Sequence, residues 1–206
     1  LKLTGQLSTS GNSDFRQLRD LCYQLRHVDL SLADCENIPN NAFHSRPVLE
    51  TIVLPTQVKS IGSQAFFACH SLRNITLPKS VTRVGDAAFS SCENLKEITI
   101  EGNPMLGEFA FARLKGLRTV RVNAAEPPVA AVSAFEGIDR KKVKLIVPRG
   151  SELKYRKAAG WSRFFSTPEN QNRLCNPAEV LLPQPVSLKV LDGSPLSLNK
   201  VWEVVA

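Results

Sequence analysis

Two cysteines, Cys69 and Cys92, come closer to chemistry in type and spacing than any other pair in this chain. They stand 23 residues apart, at equivalent positions of a repeating pattern. Stacked coils put them roughly 5 Å apart, within Cα range of a disulfide. The alternative is a pair of small buried fillers with free thiols. The five cysteines (Cys22, Cys35, Cys69, Cys92, Cys175) cannot all pair internally. Cys69-His70 together with Cys92 invites a zinc reading, but ligand spacing such as Cys-x-x-Cys is absent, and no metal or other cofactor is expected. His27, His44 and His70 fall in three different contexts, and no Gly-x-Ser-x-Gly elbow accompanies them. Gly102 and Gly107 lack the Lys-Ser/Thr that completes a phosphate loop. No pair of acids is singled out as a glycosidase dyad. These residues point away from an enzyme.

Charge is the second chemical feature. The 206-residue chain carries a formal net charge of +7. Between Asp139 and Arg163 lie Arg140, Lys141, Lys142, Lys144, Arg149, Lys154, Arg156, Lys157 and Arg163 against only Asp139 and Glu152. That segment holds the whole excess, so the remainder is neutral. Arg140, Lys141, Lys142, Arg149, Lys154, Arg156 and Lys157 form a candidate basic patch for an anionic polymer, whether polysaccharide, membrane or nucleic acid. The bland reading is a solvated capping face. Only Tyr155 and Trp161 interleave with these charges, and both are needed to close a core.

The elements that position such groups follow a period. An Ala-Phe pair places Phe43, Phe66, Phe89 and Phe111 at steps of 23, 23 and 22 residues. Leu49, Leu72, Leu95 and Leu117 keep the step, as do Ile52, Ile75, Ile98 and Val120, and Leu54, Leu77, Ile100 and Val122. Several columns held at such a period indicate an α/β-type repeat solenoid, right-handed, with a parallel ladder of six or seven strands and short helices opposite. Leu-x-x-Ile-x-Leu reads as a strand facing the core with Ile and Leu, ended by Pro55 or Pro78. Gly62 and Gly85 read as tight bends into a helical turn that buries Phe66 and Phe89. The third unit is worn: Glu101–Gly107 is one residue shorter, and Met105 and Leu106 are expected to fill the core slots there. Leu25, Val28 and Leu30 start the ladder earlier; Phe135 and Leu145–Val147 end it.

Both ends carry capping sequence, which a solenoid requires. Asp14 to Leu25 reads as an amphipathic helix opened by Ser13 or Asp14 and carrying Phe15, Leu18, Leu21 and Cys22. At the far end Ser151 is placed to cap a helix bearing Tyr155 and Ala158, with Trp161, Phe164 and Phe165 as an aromatic lid. The expected domains are a capped solenoid over 1–165, a polar linker over 166–177 and a strand hairpin, or a fragment of a further domain, over 178–206. Within that tail, Val180–Val190 and Leu196–Val205 flank the hairpin signal Asp192-Gly193. No run of about 18 apolar residues occurs, so no membrane span is expected. The chain begins at Leu1-Lys2-Leu3 without a charged-then-apolar leader, which leaves export open.

A solenoid is chiefly a scaffold for a surface. Strand positions between the inward columns point outward, stacked about 4.8 Å apart. One such column is His27, Thr51, Asn74, Glu97, Thr119 and Lys144; the other is Asp29, Val53, Thr76, Thr99, Arg121 and Ile146. Small polar residues fill the centre, with mixed charge at the ends. The face suits a protein or a glycan, although it lacks the stacked aromatics of sugar platforms and the large anchors of tight interfaces. Asn74-Ile-Thr76 fits a glycosylation sequon and reads equally as plain strand.

The consensus Leu-x-x-Ile-x-Leu-Pro-x-x-Val-x-x-Ile-Gly-x-x-Ala-Phe-x-x-Cys resembles the BspA-like leucine-rich repeat family of bacterial surface proteins. The resemblance covers about residues 1–165. Leu3-Thr-Gly and Leu25-Arg-His-Val-Asp-Leu-Ser31 look like that family's N-terminal cap; Val147-Pro148-Arg-Gly150 with Tyr155 and Trp161 looks like its C-terminal one. The resemblance implies an exported protein, at the cell surface, outer membrane-associated or periplasmic, that binds other proteins or cells without catalytic residues. A second, short resemblance lies in the tail. Leu182-Pro-Gln-Pro-Val186, Leu191-Asp-Gly193 and Leu198-Asn-Lys200 are similar to the opening of the accessory domain that precedes the barrel of family 20 β-hexosaminidases. It implies, as an alternative, the N-terminal accessory or docking part of a larger glycoside hydrolase. No catalytic residue transfers, because that acid pair lies in a barrel this chain lacks.

Overall fold

Coils of nearly constant length stack so that each inward residue meets its equivalent in the next coil. A computed structural model describes residues 1–7 and 14–165. In chain order it contains β1 (Lys2–Gln6), α1 (Asp14–Leu21), β2 (His27–Asp34), β3 (Asn37–Ile38), β4 (Thr51–Val53) and β5 (Ser60–Ile61). There follow β6 (Asn74–Leu77), β7 (Arg83–Val84), β8 (Glu97–Ile100), β9 (Met105–Leu106), β10 (Thr119–Val122), β11 (Lys144–Ile146) and α2 (Glu152–Lys157). The expected solenoid is present. Its main ladder is wholly parallel and runs β1-β2-β4, then β6-β8-β10-β11. Between the two stretches the Arg73 amide still donates to the Glu50 carbonyl at 3.2 Å. The strand β1 lies one layer beyond the start read from Leu25. The linker expected at 166–177 and the hairpin expected at 178–206 lie outside the described residues.

A second parallel ladder, β3-β5-β7-β9, was not anticipated. It is built from the Val-x-x-Ile-Gly stretch and stacks Ile38, Ile61, Val84 and Leu106 inward, all at most 1% exposed. Only one residue of each two-residue strand faces the core, so Met105 turns outward beside Arg83 and is 50% exposed. The expectation that Met105 and Leu106 both fill core slots is therefore corrected: Leu106 alone does.

The short helices expected opposite the ladder are also corrected. The Ala-Phe segments are stacked turns, and the reason lies in where their amides go. Gln64, Phe66 and Ala68 donate across to Asp86, Ala88 and Ser90 of the next coil at 2.9, 2.7 and 3.0 Å. The intervening Ala65, Phe67 and Cys69 bend back to carbonyls three residues earlier. The same alternation recurs from Ala87 to Cys92. A helix would direct every amide four residues back along its own axis; here half of them join coils. The geometry uses left-handed backbone at Gln64 and Ala68 (φ 55° and 57°), Ala87 and Ser91, and the equivalent residues of neighbouring coils.

Inside, the phenylalanines form one column. Phe43, Phe66, Phe89, Phe111 and Phe135 lie nearly parallel, with centroids 5.2, 4.9, 5.2 and 5.5 Å apart. The spacing is close to the interval between neighbouring strands, so rings and ladder repeat together. Each end is closed edge-on. Phe15 of α1 meets Phe43 at 6.1 Å and 89°, and Phe164 meets Phe135 at 5.1 Å and 82°. Trp161 donates its indole N–H to the Pro128 carbonyl (2.7 Å), and the Tyr155 hydroxyl donates to Ala124 (2.7 Å), so both buried polar tips are satisfied. The N-terminal cap helix is shorter than expected: it stops at Leu21, and Leu25 bonds back to Cys22 in a turn. Ser151 precedes α2 as expected, yet its hydroxyl donates to the Pro148 carbonyl instead of capping the helix.

Glycine serves closeness here. Gly62 and Gly85 do not adopt positive φ; a Cβ on Gly85 would lie 2.5 Å from the Ser63 nitrogen, and one on Gly62 as near to that of Asn40. Two substitutions separate the constraints. Gly85→Ala overpacks backbone against backbone and is expected to cost about 1–3 kcal/mol. Ala68→Gly relieves a left-handed alanine, worth about 1–2 kcal/mol, against roughly 0.5–1 kcal/mol of lost glycine entropy. Urea denaturation should show a loss for the first and no loss, or a gain of up to about 1.5 kcal/mol, for the second. Losses in both would contradict this account of the coil.

Candidate functional site

The strand register places both outward columns as the spacing required. Asn74, Glu97, Thr119 and Lys144 are successive partners, as are Thr76, Thr99, Arg121 and Ile146. His27 pairs with Thr51 and Asp29 with Val53. Inward neighbours such as Ile75, Ile98 and Val120 are buried, so the wall is a rigid, one-sided display. Its N-terminal end is knitted, with His27 Nδ1 and Thr51 Oγ1 2.9 Å apart and Lys2 reaching Asp29 at 3.8 Å, and Arg121 reaches Glu97, which lies between Asn74 and Thr119, at 3.7 Å. The hydroxyl and amide of Ser31, more than Lys2, hold the Asp29 carboxyl below its ordinary range. The centre is short and polar, with Asn74 and Thr76 exposed and Thr99 and Thr119 partly buried, and Val53 is an exposed apolar point on the N-terminal side.

Beside this wall runs a column that sequence reasoning missed. The residue after each inward leucine at the strand entrance is Arg26, Glu50, Arg73, Lys96 and Arg118 in successive coils. Their backbones are joined in order: Glu50 donates to Arg26, Arg73 to Glu50, Lys96 to Arg73 and Arg118 to Lys96, at 2.7 to 3.2 Å. Glu50 is clamped by Arg26 at 3.0 Å and Arg73 at 3.2 Å. Four cations against one acid thus line one flank of the sheet, with Lys144 at its end. The signal was available at the repeat period. Counting charge by segment hid it, because acids elsewhere cancel these cations in the sum.

The basic patch expected at the C-terminal cap is distributed differently. Arg140 donates to the Phe135 carbonyl at 2.7 Å, and burial, followed by the nearby Arg163, lowers its pKa. Lys142 pairs with Asp139 at 3.1 Å and Lys154 with Glu126. Arg156 lies over the Phe165 ring, 5.1 Å from its centroid. Lys141, Arg149 and Lys157 are exposed. Much of this charge serves the cap itself.

Cys69 and Cys92 are free thiols in this structure, fully buried in one column. Each thiol donates to a carbonyl, Cys69 to Phe43 and Cys92 to Phe66, both at 3.1 Å. The hydrogen bond with Cys69, then burial, pushes the Cys92 thiol well above its ordinary pKa. Burial pushes Cys35 up to about 11. Raised pKa values make Cys92 and Cys35 poor nucleophiles, and Cys69 is a buried filler in the same column as Cys92. His27 lies on the wall, His44 stacks on Phe67 at 5.1 Å, and His70 is exposed elsewhere. Among the described residues no three His, Cys, Asp or Glu converge to hold a metal, and no helix is long and apolar enough to cross a membrane.

A family model for the BspA type leucine rich repeat region matches residues 20–145 in six copies. Among solved structures, the pneumococcal vaccine antigen PcpA is 22% identical, with a TM-score of 0.53 over 66% of this chain and 33% of that one. A leucine-rich repeat protein from Bacteroides ovatus is also 22% identical, with a TM-score of 0.43 over 65% of this chain and 36% of its own. The chain therefore spans about a third of the length of either, and the likeness to PcpA is one of fold. No curated protein matches the chain. The family match ends before the tail, so the hexosaminidase resemblance has no support from it and lies outside the described residues. With six copies of the repeat matched across more than half its length, on coils that stack in one continuous core, the chain belongs to the BspA type leucine-rich repeat family.

Proposed function

We propose that this chain is a non-enzymatic binding module of an exported bacterial protein, engaging a protein or glycan on a host or neighbouring cell through its outward sheet face. The observation that carries this reading is the pair of in-register columns centred on Asn74, Thr76, Thr99 and Thr119. They form a preorganised surface whose residues do nothing for the core. Preorganisation reduces the entropy lost on binding, so a wall of short side chains can bind without large anchors. Family membership supports the adhesive role and an extracellular or surface-associated setting. Among the described residues, the buried thiols and the dispersed histidines offer no nucleophile paired with a base.

A second reading has its own observation. The cation column at Arg73, Lys96 and Arg118 is better disposed than the C-terminal cap to bind an acidic polymer. Its charges repeat at the coil interval along a straight line, and Lys96 and Arg118 are exposed. The face lacks aromatic stacking groups, which favours an acidic polysaccharide over a nucleic acid.

One comparison separates the two. The chain is applied to an array of host-surface proteins and glycans and to heparin, together with three charge variants. Thr76→Glu/Thr99→Glu should abolish the array signal with a stability change within about 0.5 kcal/mol. Lys96→Glu/Arg118→Glu should lower the salt needed to elute from heparin, whereas Lys141→Glu/Lys142→Glu should leave it nearly unchanged. An array signal indifferent to the threonine changes would contradict the first reading. Heparin retention governed by Lys141 and Lys142 would contradict the second.

A further inference from the structure

The repeat breaks its own rule at Arg46. Three residues after each stacked phenylalanine comes a buried apolar side chain: Cys69, Cys92, Leu114 and Ile138, each no more than 7% exposed. In the coil of Phe43 that position is Arg46. Its Nε is sealed from solvent and has no hydrogen-bond partner. Burying a charged donor without an acceptor costs free energy that leucine at the same slot would avoid. The fold gains nothing visible in exchange.

Arg46 also lines a cleft of about 360 Å³, walled by Arg19, Asp20, Asn41, His44 and Ser45. The carboxylate in that wall is already engaged. Arg19 Nε lies 2.7 Å from Asp20 Oδ1 and Arg16 lies 3.5 Å from Oδ2. Arg19 further donates to the Asn41 carbonyl at 3.3 Å. His44 is held between Phe67, on which it stacks, and Ser45, whose hydroxyl lies 2.9 Å from Nδ1. The rim is therefore positioned by the protein; Arg46 Nε is sealed off, so a ligand in the cleft meets Arg46 only through the terminal amino groups of its guanidinium. The cleft is open to solvent, and its volume, at the lower end of ordinary small-molecule sites, leaves room for a monosaccharide.

We propose that this cleft binds a small, hydroxyl-rich molecule bearing one carboxylate, such as an acidic monosaccharide. The carboxylate sits on the two terminal amino groups of Arg46, and the hydroxyls meet Asp20, Asn41, His44 and Ser45. Planar carboxylate is the partner that a guanidinium edge recognises with two parallel hydrogen bonds. The site lies between α1 and the first stacked turn and is distinct from the outward sheet face and its cation column.

The test uses the whole chain with glucuronate, acetate, inorganic phosphate and glucose as probes, read by saturable NMR shifts and by the thermal midpoint. Glucuronate should bind saturably in the millimolar range, and acetate at least tenfold more weakly. Arg46→Leu should restore the repeat's apolar slot: binding disappears while the midpoint stays or rises. Arg46→Lys, which keeps the charge but loses the fork, should weaken glucuronate at least tenfold. The proposal is overturned by phosphate or glucose binding as tightly as glucuronate, or by no saturable response to glucuronate. It is equally overturned if Arg46→Leu retains binding or lowers the midpoint, since the arginine would then serve the fold.

Discussion

Each coil must return its phenylalanine to within about 5 Å of the one before, and nearly everything else in this chain is subordinate to that requirement. Ring spacings of 4.9 to 5.5 Å repeat with the strand ladder. A coil longer by a residue or two would lift its ring out of the column unless the excess were looped away. That is why the worn third repeat, one residue short, keeps Phe111 in place and absorbs the deletion between Ile100 and Met105, after which Met105 is again in register with Arg83. It is also why the glycines stand where neighbouring backbones nearly touch, and why alanines accept left-handed backbone to send their amides across the coil boundary. The edge-on closures by Phe15 and Phe164 end a stack that would otherwise present a bare aromatic face to water.

With the interior given over to stacking, differences between coils are confined to the outside. The outward wall, the cation column on its flank and the Arg46 cleft are three such features, the first two on the sheet side and the third between α1 and the first stacked turn. The first two follow the ladder and suit extended partners. The third interrupts a buried column at one coil only and suits a small one. A solenoid can carry all three at once because a local exception disturbs only adjacent layers.

Much of this was legible in the sequence, and what was hidden was hidden for physical reasons. The inward and outward columns could be read by counting, because strand alternation and a 23-residue step leave one consistent register. The stacked turns could not be told from helices: local propensity sees Ala-Phe, whereas the choice between intracoil and intercoil hydrogen bonds is made by the neighbouring layer. The second ladder was concealed for the same reason, since strands of two residues carry no alternation of their own. Gly62 and Gly85 were recognised as special for the wrong cause; close approach of another coil does not show in a local pattern. The line from Arg26 to Arg118 was visible at the repeat period but cancelled in a segmental charge count. Arg46 stood in plain sight at a position where its equivalents are apolar, and its meaning needed the cleft.

The most direct test of the central constraint is a double-mutant cycle on adjacent and distant rings, measured by urea denaturation. If stacking couples neighbouring coils, Phe66→Leu and Phe89→Leu should show a coupling of about 0.5–1.5 kcal/mol. Phe43→Leu and Phe111→Leu, separated by two intervening rings, should add within about 0.3–0.5 kcal/mol. A coupling between Phe66 and Phe89 indistinguishable from zero, or one equal to that of the distant pair, would contradict the account.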